Sequence, residues 1–300
     1  MAITYTPISD GTTADVADIN TPFTTAYNQI NTNTTNIATN TAAVADLTVG
    51  RTALKVNLKV ANNSGDAAHD IDVDADALTL QDTTTAAWDT VLSSVDVTIA
   101  SDAANGANAL DTGAVAADTW YAVYVIYNGA TTAGLFSLSG TAPTMPTGYT
   151  KKRRVGWALT DGSAEWYSFT HATGDNWFYF TDATVGAIGT IDASSATVTT
   201  SVTNSYAPDG TELAFVRAYA ANVTNNAGPS DLDMDINSIW GFGTLYVVTT
   251  SQQSYWSSSS LANLSGTKTF SVTKRSHDSS YAANWSGTIT IYGSGWFDNA

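Results

Sequence analysis

The hydrophobic period of this chain changes once, near residue 50, and the change sets what each side of it can fold into. Phe23, Ile30, Ile37 and Val44 recur every seven residues, and Tyr27, Thr34, Thr41 and Thr48 follow them by four. Alternating steps of four and three put both sets on one seam of a helix, the apolar set at d and the Tyr/Thr set at a. Residues 19–49 are therefore expected to form a short coiled-coil stem, a rod of about 40 Å at about 1.5 Å per residue. The Asn and Thr between the seam positions are poor helix formers, so such a helix needs partners to persist. β-Branched residues at d shift the balance from two strands to three. The expected assembly is a parallel homotrimer sealed by Phe23, Tyr27, Ile30, Thr34, Ile37, Thr41 and Val44. The same pattern also allows a lone amphipathic helix packed on its own chain. Residues 1–18 carry Pro7 and Gly11 without a period and read as an extended adaptor, which would attach to other proteins.

From Gly50 onward the period is two. Leu54, Val56, Leu58 and Val60 alternate with other residues, as in a half-buried strand. Strand-like runs follow at 95–99, 120–127, 135–138, 154–159 and 177–180, and further ones at 197–202, 212–219, 232–236, 245–249, 269–273 and 288–292. Turn signals separate them: Asn-Gly at 105 and 128, Pro143 to Pro146, Asp161-Gly162 and Thr173-Gly174. Many short strands with such punctuation predict a mainly β body of antiparallel sandwich or barrel modules. Two modules are expected, residues 50–175 and 176–300.

Charge narrows the partners. Net charge is -16, only 13% of residues are charged, and Glu165 and Glu212 are the only glutamates. Binding to phosphate backbones or to an anionic membrane needs clustered cations, so neither nucleic acid nor membrane is expected as a partner. There is no cysteine, which leaves stability to packing and association. Residues 1–10 lack the basic flank and apolar core of a secretory signal, so assembly in a cytoplasm is expected.

A search for chemistry finds no nucleophile elbow, phosphate loop or zinc-protease motif. His69, His171 and His277 lie far apart, and the sequence neighbours Ser276, His277, Asp278 and Ser279 read as a polar turn. Neither an enzyme nor a cofactor is expected. Two acidic ladders, Asp70/72/74/76 and Asp231/233/235, alternate with apolar residues and fit strands better than calcium loops, since Ala75 and Ile236 stand where an EF-hand loop turns on Gly. Lys151, Lys152, Arg153 and Arg154 read as the solvated face of an edge strand, or as a site for an anionic glycan. Aromatics in polar surroundings, Tyr255, Trp256, Tyr281 and Trp285 with Trp296-Phe297, are candidates for stacking on sugars.

Leu110-Asp111-Thr112-Gly113 with Ala117-Asp118-Thr119-Trp120-Tyr121, then Pro143 to Tyr149, Arg153-Arg154-Val155-Gly156 and Thr160-Asp161-Gly162, resembles a segment of phage tail-fibre and uncharacterised virion proteins. The likeness covers roughly residues 50–180 in order and spacing. It implies a virion location and a β-rich module, with no catalytic residues. The reading that results is a fibre or spike subunit anchored by its N-terminus, with host surface glycan as a candidate ligand. The alternatives are a head fibre or decoration protein without a receptor, and a glycan depolymerase.

Overall fold

A computed structural model describes residues 16–51, 54–171, 176–181, 186–192, 197–209, 211, 213–225, 230–236, 247–249, 254–263, 268–276 and 285–298. Residues 1–54 and 55–300 form two compact units. The first contains one helix, α1 (Val16–Arg51). Its threonines bond back to their own helix: the hydroxyls of Thr25, Thr32, Thr34, Thr35 and Thr39 each donate to the carbonyl four residues earlier, at 2.9–3.1 Å. That satisfies the hydroxyls without water, but back-bonding of this kind adds nothing to the low helix propensity of Thr.

The second unit is mainly β. Its strands are β1 (Lys55–Val56), β2 (Lys59–Asn62), β3 (Asp70–Asp82), β4 (Trp88–Ala100), β5 (Ala109–Leu110), β6 (Trp120–Tyr127), β7 (Thr132–Ser137), β8 (Lys151–Leu159) and β9 (Phe169–His171). They continue as β10 (Trp177–Phe180), β11 (Ala187–Asp192), β12 (Thr197–Thr203), β13 (Leu213–Asn225), β14 (Ser230–Ile236), β15 (Val247–Thr249), β16 (Ser254–Asn263), β17 (Thr269–Ser276) and β18 (Trp285–Phe297). One large sheet runs β16-β13-β18-β10-β9-β2-β3-β8-β6-β7-β5, with β1 and β4 also on β3 and β11 on β18; a smaller sheet runs β12-β17-β14-β15. Described pairings are antiparallel except β5 with β7, which makes the large sheet mixed. β9 and β10 pair with each other across position 175/176, so the sheet is continuous there.

The period-two pattern shows most plainly in β3. Ile71, Val73 and Ala75 are buried, and Asp70, Asp72, Asp74 and Asp76 occupy the alternate positions. Fully burying each Val or Ile contributes about 1.5–3 kcal/mol, enough to fix the register. The expected strand at residues 54–60 is broken instead. Asn57 takes a φ of +52° and donates through Nδ2 to Asp76 Oδ2 at 2.5 Å, which separates β1 from β2 and leaves Val56 exposed.

The basic run corrects the expectation of an edge strand. β8 lies between β3 and β6, and its cations are held by internal partners. Lys151 bridges Asp82 and Asp89 at 2.9 and 2.7 Å. Lys152 donates to the Thr141 carbonyl. Arg153, buried, donates to the Thr79 carbonyl at 3.2 Å and lies 4.8 Å from the Trp88 ring centre. Burial lowers its pKa to about 10, so it stays charged at neutral pH. Arg154 donates to the Gly140 carbonyl and pairs with buried Asp298 at 2.7 Å. An anionic glycan would have to displace these contacts.

The core between strands is aromatic. Phe178 stacks on Trp296 at 5.2 Å and 5°, and on His171 at 4.3 Å and 3°; Trp120 meets Trp296 edge-on at 4.8 Å. Close approach requires Gly156, where a Cβ would come within 2.8 Å of the Phe178 ring. Trp296, expected as one of the sugar-facing aromatics, is fully buried.

Gly156→Ala should cost about 1–3 kcal/mol, because Phe178 has no space to retreat into, and urea unfolding should show a lower midpoint. Asp96 stands directly opposite Asp74, whose carboxyl is pushed above its ordinary value first by burial and then by Asp96. A carboxyl with a raised folded-state pKa contributes stability below its unfolded value and loses it as pH rises. Asp96→Asn should therefore raise the melting temperature at neutral pH, and the gain should shrink as pH falls and Asp74 takes up its proton.

Candidate binding cleft

The sequence-expected sugar aromatics fall at one end of β13. Trp256 on β16 is in register with Ala220, and Trp285 on β18 is in register with Asn225, on the opposite side of the same strand. Tyr281 lies outside the described residues, as does His277. Of the heptad residues, Phe23, Tyr27, Ile30, Thr34, Ile37, Thr41 and Val44 all fall on α1. The first acidic ladder is solvated by neutral donors: Asp72 accepts from Asn63 Nδ2 at 2.9 Å and from Thr98 Oγ1 at 2.7 Å. Asp233 of the second ladder is in register with Arg275, and Asp235 with Thr273. Among the described residues no group of three or more His, Asp or Glu is gathered as metal ligands.

A different place has the form of a binding site. A half-open cleft of about 320 Å³ is lined by Asp118, Leu159, Ser205 and Tyr206. One wall is the turn entering β6. Asp118 there has a φ of +49°, a conformation that Asp and Asn tolerate better than other side chains. Its N–H donates to the Asp161 carbonyl at 3.0 Å. Next to it, the Thr119 N–H donates to Thr160 Oγ1, whose hydroxyl donates to the Ala116 carbonyl at 2.7 Å.

The other wall is the turn at 204–209. The Tyr206 N–H donates to Asn204 Oδ1 at 3.0 Å, a side-chain-closed turn of the kind Asn favours. Lys268 Nζ clamps the turn by donating to the Ala207 carbonyl and pairing with Asp209 at 2.9 Å. Trp120 joins the walls, since its indole N–H donates to the Ser205 carbonyl at 3.0 Å. Buried Leu159, ending β8, supplies an apolar lining. The Tyr206 ring is held edge-on by Tyr167 at 6.2 Å and Phe180 at 6.1 Å. Backbone at Gly293 fits so closely behind it that a Cβ there would lie 3.0 Å from Tyr206 Cβ.

Burial raises the Tyr167 phenol to about 12, helped by a hydrogen bond with Tyr206 and by the nearby carboxylates of Asp118 and Asp161. Tyr167 thus remains a neutral hydrogen-bonding group at physiological pH. Asp161 closes its own turn by accepting from the N–H groups of Ser163 and Glu165. Asp118 differs: no described residue donates to its exposed carboxylate. The sequence named Asp118 and Trp120 as parts of a module and passed over Ser205 and Tyr206. The polar turn Asn204 to Asp209 was the available signal, and nothing local linked it to residue 118.

No protein-family profile and no curated protein matches the chain. Among solved structures, dimeric latent PorU from Porphyromonas gingivalis aligns with 82% of this chain and 24% of its own at 12% identity and a TM-score of 0.25. Isomalto-dextranase of Arthrobacter globiformis T6 complexed with panose aligns with 80% of this chain and 36% of its own at 12% identity and a TM-score of 0.20. The chain spans about a quarter and a third of their lengths, and likenesses this slight carry no argument about fold or function.

Proposed function

We propose that this chain is a structural fibre or spike subunit of a phage virion, trimeric through α1, attached to other virion proteins by residues 1–18, and non-catalytic. The observation that carries the reading is the exposed seam of α1. Phe23, Ile30 and Ile37 are 55%, 46% and 66% exposed in the single chain, although they are large apolar residues that recur at one heptad position. A helix of 36 residues, rich in Asn and Thr, gains little from intrinsic propensity, so burial of this seam between copies is what would hold it. Thr34 suits such a seam, because its hydroxyl is already bonded within the helix and only its methyl need face a neighbour.

The resemblance of residues 50–180 to tail-fibre modules supports the same reading, as do the acidic balance and the mainly β body. In this proposal the strands of the body pack as a sandwich, and Trp256 and Trp285 at the β13 end, together with Tyr255 and Tyr281 of the sequence pattern, meet host surface glycan. Weak sites carried in three copies gain avidity through effective concentration.

Sedimentation equilibrium of the full chain should return three times 31.4 kDa. Ile30→Asp combined with Ile37→Asp would place charges in an apolar seam at several kcal/mol per ion, and should release monomers. A wild-type monomer at micromolar concentration would refute the stem. The isolated trimer should also adsorb to host cells, and Trp256→Ala and Trp285→Ala should each weaken adsorption; equal adsorption by both variants would remove these residues from the binding surface.

A further inference from the structure

We propose that the cleft between the 118 turn and the 204–209 turn is a binding site for a neutral pyranose, the end or a branch of a glycan, held by Asp118, Ser205 and Tyr206. The chemistry of the lining selects this class. A pyranose ring offers C–H groups on its faces and adjacent hydroxyls on its edge. Leu159 and the Tyr206 ring supply apolar surface for the former. The Asp118 carboxylate accepts hydrogen bonds only, and its two oxygens suit two neighbouring hydroxyl donors. Ser205 and Tyr206 add hydroxyls that both donate and accept.

The volume of about 320 Å³ stands at the lower end of small-molecule sites, a size for one or two sugar rings. Charge excludes the acidic alternatives. Asp118 faces the cleft, Asp161 and Glu165 lie in the adjoining turn, and the chain as a whole carries -16, so a uronate or sialate would be repelled. The walls come from distant stretches of chain, and the bond from Trp120 Nε1 to the Ser205 carbonyl spans 85 residues, so the site exists only in the folded body. Each wall is set by its own hydrogen bonds, so little ordering is left for the ligand to drive.

This inference deepens the glycan-binding part of the proposed function and does not require the trimer, since every lining residue belongs to one chain. The test is titration of the full chain with methyl glucoside, methyl galactoside and methyl mannoside, and with glucuronate as the anionic control. The readouts are saturation-transfer NMR and amide hydrogen exchange. At least one neutral pyranoside should bind saturably in the millimolar range, with slower exchange at residues 116–119 and 204–206. Asp118→Asn keeps the shape and tolerates the positive φ, so the body should fold; together with Tyr206→Phe it should weaken binding about tenfold or more. The slowed exchange at residues 116–119 and 204–206, and not saturable binding alone, separates the cleft from the β13 end.

No saturable binding of any neutral pyranoside, binding that survives both variants, or equal binding of glucuronate would overturn the proposal. Slowed exchange confined to other segments would overturn it as well, without recourse to any variant. A monomer in the centrifuge would remove the stem and leave this result standing.

Discussion

The body of this protein depends on where it places a handful of cations. Eleven Lys and Arg serve 300 residues, and four of them stand in sequence on β8, an interior strand of the large sheet. Such a strand would ordinarily be an uninterrupted apolar run. Here each cation is matched to a fixed acceptor: Lys151 to Asp82 and Asp89, Lys152 to the Thr141 carbonyl, Arg153 to the Thr79 carbonyl, Arg154 to the Gly140 carbonyl and Asp298. A buried ion pair such as Arg154–Asp298 adds little net stability over apolar packing, yet breaking it leaves a charge stranded, so it discriminates against a slipped register. β8 therefore specifies the alignment of β3 and β6 around it, and the aromatic core is built on that alignment.

Much of this arrangement was legible in the residue order. The strands with alternating or apolar runs, such as β3, β6, β10 and β14, lie where their patterns place them; in β3 the reason is that one face had to be buried. β16 was missed. Its Ser-Ser-Ser-Ser centre has neither apolar alternation nor β-branched residues, and the strand exists because β13 offers it a partner. The basic run was misplaced for a related reason: four adjacent charges look solvated in one dimension, and their acceptors, at 79, 82, 89, 140, 141 and 298, are visible only when the sheet is assembled. The cleft shows the same limit. Asp118 and Tyr206 belong to turns whose local chemistry is readable, but a long-range hydrogen bond from Trp120 joins them.

The helix and the body express opposite economies. In α1 threonine hydroxyls are satisfied locally, bonded one turn back, while Phe23, Ile30 and Ile37 are largely exposed in the single chain. In the body the apolar groups are satisfied at long range, and polar groups remain open in a cleft. The proposed stem draws on the first arrangement and the proposed sugar cleft on the second.

β18 pairs with β10, β11 and β13, and the residue that follows its last position, Asp298, takes the side chain of Arg154. The large sheet is thus joined through residues 285–298. While a ribosome is still making the chain, β3, β4 and β6 to β8 can pair with one another, β10 with β9 and β13 with β16, but the edges of β10, β11 and β13 that β18 covers wait for a strand not yet synthesised. Arg154 waits with them, its guanidinium without its carboxylate. Non-local pairing of this kind is slow and leaves strand edges exposed in the meantime. The nascent body therefore passes through a half-built state with open edges, and the cell that makes it must keep those edges apart until the last strand emerges.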